Sequence, residues 1–277
     1  PYPARDPKDE AKRLIEGSPS HLLEIRHYLF AGGRTMPKPL RVLVAGGGTG
    51  DATIMLAQQL KDAGWPAEIT WLDISAAARA VCEARAKARG LDNIRFVTGP
   101  IEDIPALAPG PFDYIDCCGV LHHLADPAGA VAILGSVLAP GGGMGIMVYA
   151  AFGRRGVYEA QSMLRTLGAG EADATRLDLA RRLLKQLPAT NWLRKNPGIG
   201  DHLRGGDAGL YDLLLHARDR PYRLPELAEL FSGFRILRLI EPWRYQPQRY
   251  LNDRALLTRL EALDAHHGGG GSITGAF

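Results

Sequence analysis

Residues 42–54 read VLVAGGGTGDATI. The apolar run Val42–Ala45 suits a buried strand, the glycines suit a tight turn, and Met55-Leu-Ala-Gln-Gln-Leu60 continues as a helix. A strand, a glycine turn and a helix form a common cradle for a nucleotide. The spacing narrows the choice. A phosphate-cradling P-loop needs Gly-Lys-Ser/Thr at the end of the turn, which is absent. A dinucleotide turn, G-x-G-x-x-G, would put its third glycine at position 51, where Asp51 stands. An aspartate at a helix start also repels a diphosphate. What fits is G-x-G-x-G, with Gly46, Gly48 and Gly50, a turn that lets backbone approach a ligand with no Cβ between.

On both sides of the turn the chain alternates between two periods. Strands are predicted at Arg41–Ala45, Glu68–Asp73, Ile94–Thr98, Phe112–Cys118 and Gly143–Tyr149. Helices are predicted over 51–63, 75–89 and 126–138. Short continuous apolar strands separated by helices imply an α/β fold: a Rossmann-like, doubly wound, mostly parallel sheet with helices on both faces. Pro140-Gly-Gly-Gly143 is a break before the fifth strand. After Tyr149 the rhythm changes to a helical C-terminal lobe. It has amphipathic segments at 156–168 and 171–187, an irregular Pro/Gly-rich stretch at 188–210 and a short helix at Pro225–Phe231. A late strand, Phe234–Ile240, completes the sheet, and a helix follows from about Arg249 to Asp264. The expected organisation is a helical extension (1–39), a cofactor-binding core (40–150), a substrate lobe (151–265) and a Gly-rich tail (266–277). In that tail GGGGS reads as a flexible linker carrying the pentapeptide ITGAF.

Composition sets the outer limits. The chain has 277 residues, 46% of them hydrophobic, and no apolar run of 18 or more, which argues against a membrane span. The polar, proline-rich start is unlike a signal peptide. Three cysteines, two adjacent in an apolar run, suit reduced thiols in a cytoplasmic protein and offer neither a disulfide framework nor a zinc site. No metal is expected. The first 150 residues carry 14 Lys+Arg against 16 Asp+Glu, while residues 151–250 carry 17 against 11. The second lobe is therefore the face for an anionic group, or simply a solvated helical surface rich in arginine.

Three further segments join the glycine turn. Asp73 ends the second strand, 23 residues beyond Gly50, where a carboxylate can accept ribose hydroxyls or cap the next helix. Phe96–Pro105 reads FVTGPIEDIP at the third strand's exit. Phe112–Gly143 reads FDYIDCCGVLHHLADPAGAVAILGSVLAPGGG. Together these four segments, spanning about Leu40–Tyr149, resemble class I S-adenosylmethionine-dependent methyltransferases of the small-molecule, quinone-biosynthesis type. The resemblance implies S-adenosyl-L-methionine as cofactor and S-adenosyl-L-homocysteine as product. It implies cofactor contacts at Gly46, Gly48, Gly50, Asp73, Ile74 over the adenine, the Ile101 backbone, Glu102, and the Cys118 and Gly119 carbonyls. Two positions depart from the family pattern. Val44 replaces an acidic residue that positions the cofactor's amino-acid end, leaving its ammonium to backbone carbonyls or to Asp51. Pro100 stands where an acidic residue often meets the adenine amine.

Methyl transfer from a sulfonium is an in-line displacement that depends first on positioning, with a base needed only for a protonated nucleophile. His122, His123 and Tyr149 lie at the sheet's C-terminal edge, where ligands bind in open α/β sheets. They are the candidate catalytic groups, as base or orienting donors; the alternative reading is that the two histidines cap the following loop. Arg154, Arg155, Tyr158, His216 and Arg218 are the candidate substrate wall, or an Arg-paired structural loop. The expected function is methylation of an O, N or C nucleophile on a small metabolite. A peptide or protein acceptor, such as one like ITGAF, is the alternative, followed by a cofactor-binding protein without catalysis. Nucleic acid is disfavoured, because Gly119-Val-Leu-His replaces the Pro-Pro-type tetrapeptide of nucleic-acid methylases. Neither the acceptor nor the oligomeric state is legible.

Overall fold

The computed structural model describes residues 3–16, 18–32, 34–196, 198–239 and 251–266. Five strands form one parallel sheet: β1 (Leu40–Ala45), β2 (Ala67–Asp73), β3 (Ile94–Thr98), β4 (Phe112–Cys118) and β5 (Leu138–Met147). Their order is β3-β2-β1-β4-β5. The chain first winds outward from β1 to β3, then crosses back to β4. The order thus reverses between β1 and β4, and a crevice opens beyond their carboxyl ends. The glycine turn leaves β1 there, and Gly119–His123 leaves β4 beside it.

Helices cover both faces, as continuous apolar strands require. On one face α1 (Asp51–Asp62) and α2 (Ala76–Ala88) pack with the N-terminal segment 22–36, enclosing Val42, Val44, Ile54, Leu60, Ile69 and Trp71. On the other, α3 (Pro127–Ser136) covers Leu43, Ala45, Leu72, Ile115 and Cys117. Helix starts follow local chemistry. Ser75 Oγ accepts from Ala78 N–H at the head of α2. Asp126 accepts from Gly129 N–H at the head of α3, with Pro127 in the first turn.

A third apolar cluster lies beyond β5. It is built from α4 (Val157–Leu167), α5 (Asp173–Gln186) and α6 (Gly206–Leu214), around Val157, Leu164, Ala180, Leu193 and Leu213. A short helix, α7 (Leu224–Leu230), and α8 (Arg254–His266) follow. No helix among the described residues is long and apolar enough to cross a membrane.

Three sequence expectations change. The break at Pro140–Gly143 is a bulge inside β5: Phe112 pairs with Leu138, then Tyr114 with Gly143. The stretch expected to be irregular holds two single-turn helices, Trp192–Lys195 and Asp201–Arg204, and the start of α6. The late strand is not formed over its described part. Residues 234–239 pair with no strand, and their side chains instead clamp other elements. Phe234 lies against Phe231 and the flat face of Gly135, while Arg238 pairs with Glu24 and stacks on Tyr28. Ile240, the start of the final helix expected from Arg249, and the GGGGSITGAF tail lie outside the described residues.

Candidate active site

Each glycine of the turn answers to a different neighbour. Gly46, Gly48 and Gly50 have φ of 76°, 50° and 99°, the left-handed region that favours glycine. A Cβ on Gly46 would lie 2.3 Å from Val120, and one on Gly50 2.3 Å from Cys82. One on Gly47 would lie 2.2 Å from the buried Trp71 indole. A Cβ on Gly48 would meet nothing within 4 Å. Three positions are therefore small so that the turn can pack against Val120 beyond β4, Trp71 of β2 and Cys82 of α2, while a side chain at Gly48 would meet none of the described residues.

Asp73 locks this turn from below. Its Oδ2 accepts from Gly48 N–H and its Oδ1 from Ser75 N–H, both at 2.8 Å. Trp71 Nε1–H donates to the Gly48 carbonyl at 3.1 Å. The expectation that Asp73 holds a ligand or caps the next helix thus resolves into a carboxylate already tied to both elements. Each of its oxygens keeps a further lone pair. Beside it Ile74 is 74% exposed, an apolar side chain left uncovered at the mouth of the crevice. Ile101 is buried in the core below α3 and brings its backbone to the third strand's exit; Glu102 is exposed.

Asp51 is held by two arginines. Its carboxylate pairs with Arg85 at 2.7 Å and with Arg5. Burial works to raise it, but the hydrogen bonds and charges of Arg5 and Arg85 outweigh this and hold it below the usual carboxylate range. It therefore braces the head of α1. Nor is a carboxylate wholly missing at the level of Val44. Val44 is in register with Asp116 of β4, so both point to the same sheet face. Asp116 is buried and accepts from the hydroxyls of Ser18 and Ser20, anchoring the N-terminal segment. Burial raises this carboxyl, partly offset by its serine and Cys118 hydrogen bonds. A raised acid holds its stabilisation below the unfolded carboxylate range and loses it as pH rises through the folded value. Asp116→Asn keeps an acceptor and removes that loss. Denaturant unfolding is expected to show the variant gaining on wild type as pH rises above the unfolded carboxylate range; a constant difference would contradict this.

At the exit of β4, Gly119 has φ 79° and its N–H donates to Met147 of β5 at 3.0 Å. The Cys118 thiol, raised well above its ordinary value chiefly by burial, stays neutral. His122 is fully buried between Tyr149 (ring centroids 4.0 Å) and His123 (4.1 Å), and neither of its ring nitrogens has a partner. Burial, with His123, Arg154 and His216 beside it, lowers its pKa to about 3. It is a neutral imidazole and a poor base near neutrality. Burial likewise raises Tyr149 to about 12, so its phenol stays protonated. His123 is lowered too, again chiefly by burial; its Nδ1 bonds the Arg218 carbonyl at 2.7 Å.

The substrate-wall candidates divide. Arg154 is buried, with its guanidinium 3.4 Å from the Tyr149 ring centroid and bonded to Asp219 Oδ2 at 3.2 Å. Tyr158 is beside it, its hydroxyl without a partner. His216 stacks on His123 at 3.9 Å. Arg155 instead lies exposed over Trp192, and Arg218 contributes its carbonyl while its side chain is exposed. Segment 218–222 is drawn in by backbone bonds: Arg220 N–H to His122 O, Tyr222 N–H to Tyr149 O, and Ala151 N–H to Tyr222 O. This brings in Asp219, which sequence reasoning missed. Its Oδ2 also accepts from Gln161, while Oδ1 has no partner.

The chain is similar to known methyltransferases in sequence and fold. Residues 43–144 match the family model described as a methyltransferase domain. An uncharacterised protein of a Synechococcus strain is 37% identical over 231 residues, covering 80% of this chain and 54% of that one. The Escherichia coli tRNA 5-carboxymethoxyuridine methyltransferase is 35% identical over 118 residues, 42% of this chain and 43% of its own. A ubiquinone biosynthesis O-methyltransferase of Albidiferax ferrireducens is 28% identical over 137 residues, half of each chain. The chain thus spans about half the length of the curated relatives it matches. PKMT2 of Rickettsia typhi, solved in complex with AdoHcy, shares the fold with a TM-score of 0.57 at 16% identity, covering 76% of this chain and 42% of that one.

Proposed function

We propose that this chain, which belongs to the class I S-adenosylmethionine-dependent methyltransferases, moves a methyl group to an O, N or C nucleophile of a small acceptor. The observation that supports the reading is Gly48: alone among the turn's glycines its Cβ position meets none of the described residues within 4 Å, and it follows β1 where the strand order reverses. S-adenosylmethionine supplies an electrophilic methyl on a sulfonium and leaves as S-adenosylhomocysteine. The residues fit such a group. Gly48 offers bare backbone, Asp73 offers two lone pairs for ribose hydroxyls, and Ile74 offers an uncovered apolar surface for the adenine. Ile101 follows β3, and Cys118 and Gly119 end and follow β4, at the same carboxyl edge of the sheet.

The protein's own part is positioning. Neutral His122 and protonated Tyr149 do not titrate near neutrality, so neither is a proton carrier there. The basic balance of residues 151–250 favours an acceptor with an anionic group. A small metabolite is the first choice, and a peptide is the second.

Asp73→Ala tests the cofactor site. It removes the acceptor for Gly48 N–H together with the remaining lone pairs, so S-adenosylhomocysteine affinity is expected to fall by ~1–3 kcal/mol. Calorimetry showing unchanged affinity would sink the assignment. Labelled methyl donor offered with small hydroxy and carboxy acids, with an ITGAF peptide and with tRNA then sorts the acceptors by mass spectrometry.

A further inference from the structure

We propose that His122, His123 and Asp219 bind one divalent transition-metal ion. The three come from two distant segments, yet one ligand atom of each lies within 4.8 Å of the others. Ligand atoms bonded to one ion at ~2.0–2.2 Å stand roughly 3–4 Å apart, so small side-chain rotations complete the set.

Two independent observations point to an absent partner. His122 is fully buried with both ring nitrogens unbonded. Asp219, whose side chain is 0% exposed, leaves Oδ1 unbonded. Buried polar atoms without partners are rare and call for an explanation such as an ion. The surrounding bonds are those that metal ligands need. His123 Nδ1–H donates to the Arg218 carbonyl, which fixes the ring and leaves Nε2 as the ligand atom. Asp219 Oδ2 is held by Arg154 and Gln161, which leaves Oδ1 as the oxygen without a partner among the described residues.

Two imidazoles and one carboxylate select Zn2+, Mn2+ or Fe2+ over Mg2+ or Ca2+, and three protein ligands leave coordination positions open. The adjacent cation, Arg154, is matched by Asp219 and the Tyr149 ring, and Asp212 adds a carboxylate nearby. At the same sheet edge as the Gly119 turn, the open positions suit an acceptor oxygen, hydroxyl or carboxylate. That last step rests on the methyl-transfer reading; ion binding does not.

The full chain, stripped with a chelator and kept free of methyl donor, is titrated with Zn2+ against a chromophoric competitor. A parallel titration with Co2+ follows its visible absorption. Expected is a site whose affinity falls at least tenfold in both His123→Ala and Asp219→Asn and is unchanged in His27→Gln, an exposed control. Thermal melting confirms that each variant is folded, and His123→Ala serves alone if Asp219→Asn is not. No binding tighter than millimolar, or binding that survives the substitutions, overturns the proposal. S-adenosylhomocysteine affinity measured on the same samples reports the cofactor reading separately.

Discussion

A Gly48→Val variant is expected to lose S-adenosylhomocysteine affinity by about two orders of magnitude or more, roughly 3 kcal/mol. Gly48 is the one glycine of the turn with nothing within 4 Å of its Cβ position, so the added side chain enters the crevice rather than the core. The cost to folding is separate and smaller. At φ 50° a side chain strains the backbone by ~1–2 kcal/mol. Gly64→Val calibrates that strain: Gly64 has φ 60° and an equally open Cβ position, but follows the C-terminal end of α1. Calorimetry below the melting temperature should show binding lost in the first variant and kept in the second. Equal binding in both would mean that the crevice does not hold the cofactor.

Why Gly48 was legible and Asp219 was not has a physical reason. A ligand approached by backbone leaves its mark in consecutive residues, because each position that cannot carry a Cβ must be glycine. The turn, the strand-ending Asp73 and the five apolar strands are all features of this local kind. They follow from periodicity and backbone geometry, and the strand order then places them at one edge. The buried polar groups are different. Asp219 meets His122 only because the chain returns along β5 through Tyr222. Asp116 meets Ser18 and Ser20 across a comparable separation, and Asp51 meets Arg85 across a shorter one that is still far beyond any local spacing. No local spacing announces such pairs. The failed strand at 234–239 shows the converse error. Arginines at 235 and 238 among apolar residues imitate strand alternation, yet nothing in the residues themselves supplies a partner strand.

The largest loss of stability is expected from Arg85→Met. The Arg85 side chain is 1% exposed and donates from Nε to Glu10 at 2.6 Å, and from Nη1 to the Thr49 carbonyl at 2.8 Å and Asp51 at 2.7 Å. It thereby joins the N-terminal segment, the glycine turn and α2. Methionine fills much of the volume but leaves Glu10, itself 5% exposed, with Arg89 as its remaining cation, and strands the Thr49 carbonyl. Breaking one side of a buried ion pair costs ~3–5 kcal/mol, because the other charge stays buried. Glu10→Gln added to Arg85→Met removes that charge and should recover part of the loss, whereas two independent defects would add. The pH dependence is also fixed in sign. Asp51 is held low with the help of Arg85, so this part of the stabilisation is present above the unfolded carboxylate range and fades as pH falls through the folded value. Urea unfolding should therefore show the gap between wild type and Arg85→Met narrowing from pH 7 toward pH 3. A gap that widens on acidification would show that Asp51 draws no stabilisation from Arg85.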